Sequence, residues 1–99
     1  LDEVTNFGGL PGEMELLYHI NFGEPLLDAG SMIVAAAKRV VPRNPHSATD
    51  VATWDQVGPQ HPTKPEQVYF LEPLADQQGL ATVLLRNAAG TRGVSVGFK

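Results

Sequence analysis

The chain has 99 residues, of which 42% are hydrophobic and 18% are charged, and its formal net charge at pH 7 is −4. This length allows one domain with a modest core, and the composition is typical of a globular protein. The acidic balance and the scattered Lys and Arg residues exclude a nucleic-acid surface. No apolar run approaches the roughly 20 residues that span a bilayer, which excludes membrane insertion. We therefore expect one domain over residues 1–99.

Cysteine is absent, so the sequence offers no disulfide, no thiolate nucleophile and no thiolate metal site. No signal peptide is visible, and a cytoplasmic location is the simplest expectation. The chain starts at Leu1 rather than at a methionine and ends on the strand-like run GVSVGFK. From these two features we expect a portion of a longer protein.

Ten Gly and eight Pro residues divide the chain into short apolar stretches, which is typical of an all-β domain. The expected architecture is an antiparallel β-sandwich. Strands are predicted near residues 2–6, 14–22, 32–41, 66–72, 80–87 and 92–98.

The clearest pattern is MELLYHINF, residues 14–22, in which every second residue from Met14 to Phe22 is apolar. The other side carries Glu15, His19 and Asn21 together with one leucine. This alternation predicts a half-buried strand with a polar face.

The run MIVAAAKRVV, residues 32–41, is ambiguous because alanines favour helix whereas Ile and Val favour strand. We predict a strand. The polar connection over residues 43–64 contains SATD, a weak capping box from Ser47 to Asp50, which predicts a short helix around residues 48–56 that carries Trp54. Connections of this length are often the rim or lid of a site.

The last two predicted strands differ in their faces. LATVLLRN, residues 80–87, is rich in Leu and Val and is predicted to be buried. In RGVSVGFK, Val94, Val96 and Phe98 alternate with Gly, Ser and Gly, so one face packs and the other is almost bare backbone. A neighbouring sheet or a ligand can approach that second face closely.

Three histidines, His19, His46 and His61, lack the spacing of a metal triad, and no serine lies in a nucleophile elbow. His19 allows two readings. It is either part of a solvated sheet face or a buried imidazole whose hydrogen bonds are satisfied, or it is a general acid or base, since a histidine ordinarily titrates at about pH 6.5. The spacing alone does not decide between them.

Glu66 begins EQVYFLEP and is by default a carboxylate at the end of a strand. Its functional reading is an acceptor for sugar hydroxyls, with Tyr69 stacking on a sugar face. TNFGGLPG, residues 5–12, lacks the helix that a phosphate-binding loop requires and is predicted to be a turn.

Four runs together resemble the aldose 1-epimerase (galactose mutarotase-like) superfamily. They are TNFGGLPGEMELLYHINFGEPLL, VVPRN, EQVYFLEP and GVSVGFK, and they extend over essentially the whole chain. The likeness is greatest to a branch that has LYHINFG where mutarotases have a histidine in an Asn-His-x-Tyr-Phe context. Tyr18, Asn21 and Gly23 depart from the mutarotase pattern around that histidine.

The resemblance implies a β-supersandwich considerably longer than this chain, of which residues 1–99 are the central portion. It implies that His19 is the catalytic acid that protonates the ring oxygen of a hexose-like sugar, and that Glu66 binds sugar hydroxyls, with Asn21 and Tyr69 as further substrate-binding candidates. The resemblance further implies that the base is a glutamate beyond Lys99 and that no cofactor is needed. We expect the isolated chain to be inactive.

Two other functions remain open at this point. One is a non-catalytic carbohydrate-binding sandwich in which His19 and Asn21 hydrogen-bond a sugar without chemistry. The other is a structural β-module whose unprotected sheet edges pair with another copy as a homodimer.

Overall fold

Residues 2–99 are described by a computed structural model in which five strands carry the fold. The elements are β1 Met32–Ala35, β2 Ala37–Pro42, α1 Pro45–Ala48, a 3-10 helix Val51–Thr53, β3 Tyr69–Pro73, β4 Ala81–Arg86 and β5 Gly93–Phe98. Every pairing between these strands is antiparallel. The predicted all-β class with antiparallel sheets is therefore confirmed.

The larger sheet has the strand order β1-β4-β5. In its centre, β4 pairs with both neighbours, so that Leu85 lies opposite Ile33 on β1 and opposite Val94 on β5. Among residues 2–99, the buried apolar side chains are those of Ala81 and Leu85, both on β4. The apolar run that predicted a buried strand is thus the centre of the small core.

The β4–β5 hairpin is closed by a turn that Asn87 organises. Its side-chain oxygen accepts from the backbone N–H groups of Thr91 and Arg92 at 2.9 and 3.1 Å. Gly90 has a φ of +69°, a conformation that glycine adopts without strain. The turn fixes the register in which Ala81 opposes Phe98.

The apolar face of β5 is only partly packed, since Val94 is 42% exposed and Phe98 is 46% exposed. Val94, Val96 and Phe98 line an apolar cavity of about 300 Å³ on one side of the sheet. On the other side, a Cβ atom at Gly97 would lie 3.3 Å from Cδ1 of Leu80. The side chain of Leu80, which precedes β4, therefore closely approaches the glycine face of β5.

The smaller sheet pairs β2 with β3. The single strand predicted over 32–41 is wrong, because Ala36 leaves the ladder and its carbonyl accepts from the N–H of Leu74 at 2.8 Å. The segment on either side of Ala36 then belongs to different sheets. The prediction of strand rather than helix for this run is confirmed.

The connection from β2 to β3 begins with the short helix α1. Its N-cap is Asn44, whose side-chain oxygen accepts from the N–H of Ser47 at 2.8 Å, and Pro45 follows in the first turn. The predicted capping box from Ser47 to Asp50 and the helix over 48–56 are therefore wrong. Asn44 is a better cap, and Trp54 follows the separate 3-10 helix.

Two buried serines hold this connection and the start of β1 in place. Ser47 is fully buried, and its hydroxyl accepts from the N–H of Val68 at 3.1 Å. Ser31 is also fully buried, and its hydroxyl donates to the carbonyl of Leu26 at 3.0 Å. Backbone bonds from Val57 to Ser31 and from Ile33 to Asp55 cover the outer edge of β1.

Residues 2–22, here called the arm, form no strand, so the strands predicted at 2–6 and 14–22 are wrong. No backbone–backbone hydrogen bond within the described residues 2–99 involves the arm. A strand exists only through pairing with a neighbour, and the alternating pattern by itself supplies none. The radius of gyration, 16.7 Å, exceeds the roughly 13 Å of a compact chain of this length.

Within residues 2–99, no helix has the length and apolarity needed to cross a membrane.

Candidate functional site

His19 and Asn21 lie next to each other on the arm. Nε2 of His19 is 2.9 Å from Oδ1 of Asn21, so the two side chains share one side of an extended segment. An amide oxygen only accepts hydrogen bonds, and therefore the proton of the imidazole in this contact is on Nε2. Nδ1 is left to receive or, in the cationic form, to donate a proton.

The arm residues around His19 face the end of β5. Tyr18, His19 and Ile20 line a cavity of about 660 Å³ together with the β5 residues from Val96 to Phe98 and Lys99. The lining contains one histidine, one tyrosine and one lysine among apolar residues and a glycine. Such a mixture suits a ligand with both apolar faces and polar groups.

Tyr18 is tied to the beginning of the arm, because its hydroxyl donates to the carboxylate of Asp2. This hydrogen bond, with a smaller contribution from burial, raises the pKa of the Tyr18 hydroxyl. The phenol is consequently a hydrogen-bond donor at neutral pH and not a base.

Glu66 lies before β3 on the surface. Its side chain is 76% exposed, and Oε2 is 3.5 Å from Nη2 of Arg43. The ion pair with Arg43 positions the Glu66 carboxylate only weakly near the start of β3, since an exposed ion pair at this distance contributes little energy.

Tyr69 is the first residue of β3 and lines a second cavity, of about 390 Å³. Trp54 and Gln67 lie in the same lining, and residues of both sheets complete it. The Tyr69 hydroxyl oxygen is buried and has no hydrogen-bond partner within the described residues. Buried hydroxyls normally have a partner, so this hydroxyl is an exception among the described residues.

The four candidate residues do not converge on one cavity of the described chain. His19 lines the cavity beside β5, Tyr69 lines the cavity between the sheets, and Glu66 is in the lining of neither. Their membership of a single sugar site therefore remains a prediction.

The sequence pattern did not indicate the polar group beside the second cavity. Asp50 accepts from Nε2 of Gln67 at 2.6 Å and from Nζ of Lys64 at 3.0 Å. These two hydrogen bonds lower the pKa of the Asp50 carboxyl. The bond to Asp50 leaves Oε1 of Gln67 as an acceptor, and Trp54, the chain's one tryptophan, was the available signal for this site.

In the part of the chain that the structure describes, no three or more His, Cys, Asp and Glu side chains are grouped so that they could hold a metal ion. His46 and His61 instead contact the carbonyl of Pro65 and the backbone N–H of Thr63.

Comparison with known proteins gives one family and one solved structure. The family described as "Domain of unknown function (DUF4432)" matches residues 1–99. The chain is similar to the crystal structure of a "putative aldose 1-epimerase" from Klebsiella pneumoniae subsp. pneumoniae MGH 78578, with a TM-score of 0.76 and 28% sequence identity. The match covers 79% of this chain but 20% of that one, so this chain spans about a fifth of its length. No curated protein matches the sequence.

Proposed function

We propose that this chain, which belongs to the family described as Domain of unknown function (DUF4432), is the carbohydrate-contacting portion of an aldose 1-epimerase-like protein. The supporting observation is the similarity to the Klebsiella pneumoniae structure, which covers most of the chain. In this proposal, the whole protein interconverts the anomers of a hexose-like sugar. Residues 1–99 form one central portion of its larger sandwich.

His19 is the acid in this proposal. Opening a hemiacetal requires removal of the proton from the anomeric hydroxyl and delivery of a proton to the ring oxygen. A histidine at the edge of an open cavity can deliver that proton, and the amide of Asn21, at 2.9 Å, orients its ring. The amide oxygen of Asn21 accepts the hydrogen bond from Nε2 of His19. Because a neutral amide is a very weak base, it does not take up the proton that His19 transfers.

A second group must act as the base. Among residues 2–99, no Asp or Glu lines the cavity that His19 lines. Two groups with different pKa values are needed for simultaneous proton delivery and removal. We therefore propose that the base lies in further residues of a longer protein and that the isolated chain does not catalyse the exchange.

Tyr69 is proposed to stack on a sugar face, and Glu66 is proposed to accept hydrogen bonds from sugar hydroxyls. Tyr69 and Trp54 line one cavity, which brings two aromatic side chains together. Aromatic faces pack well against the apolar face of a sugar ring. Glu66 adds an acceptor at the same end of β3.

The proposal is tested by NMR exchange spectroscopy of α and β anomers with the longer protein that contains these residues. We expect His19→Ala to slow the exchange by about 100-fold or more, the usual contribution of a general acid. His61→Ala, in an exposed connection, is the matched control and should leave the rate unchanged.

Unchanged exchange in His19→Ala would rule out the acid role. Sugar binding that is weakened by His19→Ala, in a protein that never accelerates anomer exchange, would instead establish the non-catalytic carbohydrate-binding sandwich. Sugar titration of the 99-residue chain, followed by the chemical shifts of His19 and Tyr69, separates the two cavities as binding sites.

A further inference from the structure

Asp50 positions two residues that line the second cavity. Its backbone carbonyl accepts from the N–H of Thr53 at 3.0 Å, and this bond closes the 3-10 turn that Trp54 follows. Its side chain accepts from Nε2 of Gln67 at 2.6 Å. Trp54 and Gln67 both line the cavity of about 390 Å³. A single residue therefore locates an aromatic ring and an amide group of the same cavity.

The place of Asp50 is itself fixed by hydrogen bonds on both sides of it along the chain. Before Asp50, the Ser47 hydroxyl accepts from the N–H of Val68, directly ahead of β3, at 3.1 Å. After Asp50, the carbonyl of Asp55 accepts from the N–H of Ile33 on β1 at 2.8 Å. These bonds anchor the connection to the start of one sheet and to a strand of the other. The carboxylate of Asp50 is thus held by contacts that lie within this chain.

The amide of Gln67 has one orientation that fits its contact with Asp50. An ionised carboxylate accepts hydrogen bonds and does not donate them, so the amide turns its NH2 group toward Asp50. Asp50 is ionised at neutral pH, because the hydrogen bonds from Gln67 and Lys64 lower the pKa of its carboxyl. The other polar atom of the amide, Oε1, is an acceptor and not a donor. Asp50 therefore decides which hydrogen-bonding character Gln67 offers to a ligand.

The lining of the second cavity has a composition that suits a sugar ring. Tyr69 and Trp54 contribute aromatic side chains, and aromatic faces pack well against apolar surfaces such as the face of a sugar ring. The lining residues other than these two and Gln67 are Ile, Val or Leu. In cavities of this kind a small number of polar groups fix the orientation of the ligand. Gln67 supplies such a group.

We propose that Gln67 is a specificity-determining residue of the proposed sugar site and that Asp50 is the residue that positions it. The proposal rests on the proposed function and names the group that is recognised. One ring hydroxyl of the sugar donates to Oε1 of Gln67 while a face of the ring packs on an aromatic side chain. Asp50 directs the acceptor of the amide, and not its donor, to that hydroxyl. A sugar that cannot donate there leaves the acceptor unsatisfied and binds more weakly.

Fluorinated sugars test this specificity, because a fluorine in place of a hydroxyl group has no proton to donate. The probes are glucose and galactose, together with derivatives of each in which a single hydroxyl is replaced by fluorine, one position at a time. Their dissociation constants are measured by calorimetry with the longer protein that contains these residues. We expect fluorine at the recognised carbon to raise the dissociation constant by about 10-fold or more.

Two variants identify the residues that recognise this hydroxyl. In Gln67→Ala the acceptor is absent, so the loss of affinity caused by fluorine at that carbon should disappear, whereas losses at other carbons persist. Asp50→Asn should reduce the same loss, since an asparagine both donates and accepts and no longer fixes the amide. Gln60→Ala removes an amide of the same connection that contacts Glu24 instead, and this control should keep the full loss. Far-UV circular dichroism verifies the fold, and Gln67→Met replaces Gln67→Ala if the alanine variant does not fold.

The possible results distinguish a failure of this proposal from a failure of the proposed function. If sugars bind but every effect of fluorine is unchanged in Gln67→Ala, the role of Gln67 is overturned and the proposed function stands. If Asp50→Asn weakens all the sugars equally and keeps the effect of fluorine at each carbon, Asp50 supports the fold and its positioning role is overturned. If none of the sugars binds, the proposal and the sugar binding of the proposed function are both overturned.

Discussion

The arm and the five strands β1 to β5, here called the body, contain similar apolar patterns but differ in structure. MELLYHINF in the arm and LATVLLRN around β4 are both rich in large apolar residues, yet Leu85 on β4 is 7% exposed and Leu17 in the arm is 86% exposed. This difference in exposure follows from hydrogen-bonding partners. β4 has a strand on each side, whereas the arm has no backbone partner within the described residues. Apolar periodicity makes a segment suitable for a sheet, but pairing alone makes it a strand.

The largest expected contrast between the two regions is in free energy of unfolding. We expect Leu85→Ala to lower it by about 2–5 kcal/mol, because the truncation leaves a cavity in the small core. Leu17→Ala, the matched arm variant, should change it by less than about 0.5 kcal/mol. Urea denaturation at a concentration where sedimentation shows a monomer measures both. An equal loss in the two variants would mean that the arm is packed.

A smaller loss of free energy of unfolding is expected when a contact of the connection between β2 and β3 is removed. Ser47→Ala leaves the N–H of Val68 without its acceptor, and an unsatisfied buried donor costs about 1–3 kcal/mol. Ser95→Ala, on the exposed side of β5, is the control and should be near neutral. The measurement is again urea denaturation. A neutral Ser47→Ala would show that the connection is held by other contacts.

The smallest effect is electrostatic and concerns Asp50. Because its pKa is lower in the folded chain than in the unfolded one, its stabilisation is present above the unfolded value of about 3.9 and is lost as pH falls through the folded value. Carboxyl NMR titration should therefore show a pKa below the ordinary range, which rises in Gln67→Ala. Gln60→Ala, whose side chain contacts Glu24 instead, should leave it unchanged. If the pKa of Asp50 does not rise in Gln67→Ala, the amide of Gln67 is not the main cause of the lowered pKa.

The predicted strands of the body lie close to the observed ones. The predictions at 80–87 and 92–98 correspond to Ala81–Arg86 and Gly93–Phe98, which form a hairpin with a short turn. Such strands pair locally, so pattern and turn residues suffice to place them. The break at Ala36 was not predictable in this way, since it depends on a bond to Leu74, far along the chain.

The candidate site also has one part that the sequence predicts and one part that it does not. The pattern placed His19 and Asn21 on one side of an extended segment, and the 2.9 Å contact between them agrees with that placement. It indicated the connection that carries Trp54 but not which residues join it, because that cavity lining combines residues of β1, β3 and β4 with the connection. Residues that are distant in sequence come together there only through sheet pairing.

The sequence by itself determined the all-β class and the hairpin, because each depends on alternation and on residues a few positions apart. Only the tertiary structure decided that residues 32–41 divide between two sheets, that Asn44 rather than Ser47 caps the short helix, and that residues 14–22 remain unpaired. A strand needs a neighbour's backbone as well as its own pattern. Whether that neighbour is present is a property of the assembled chain.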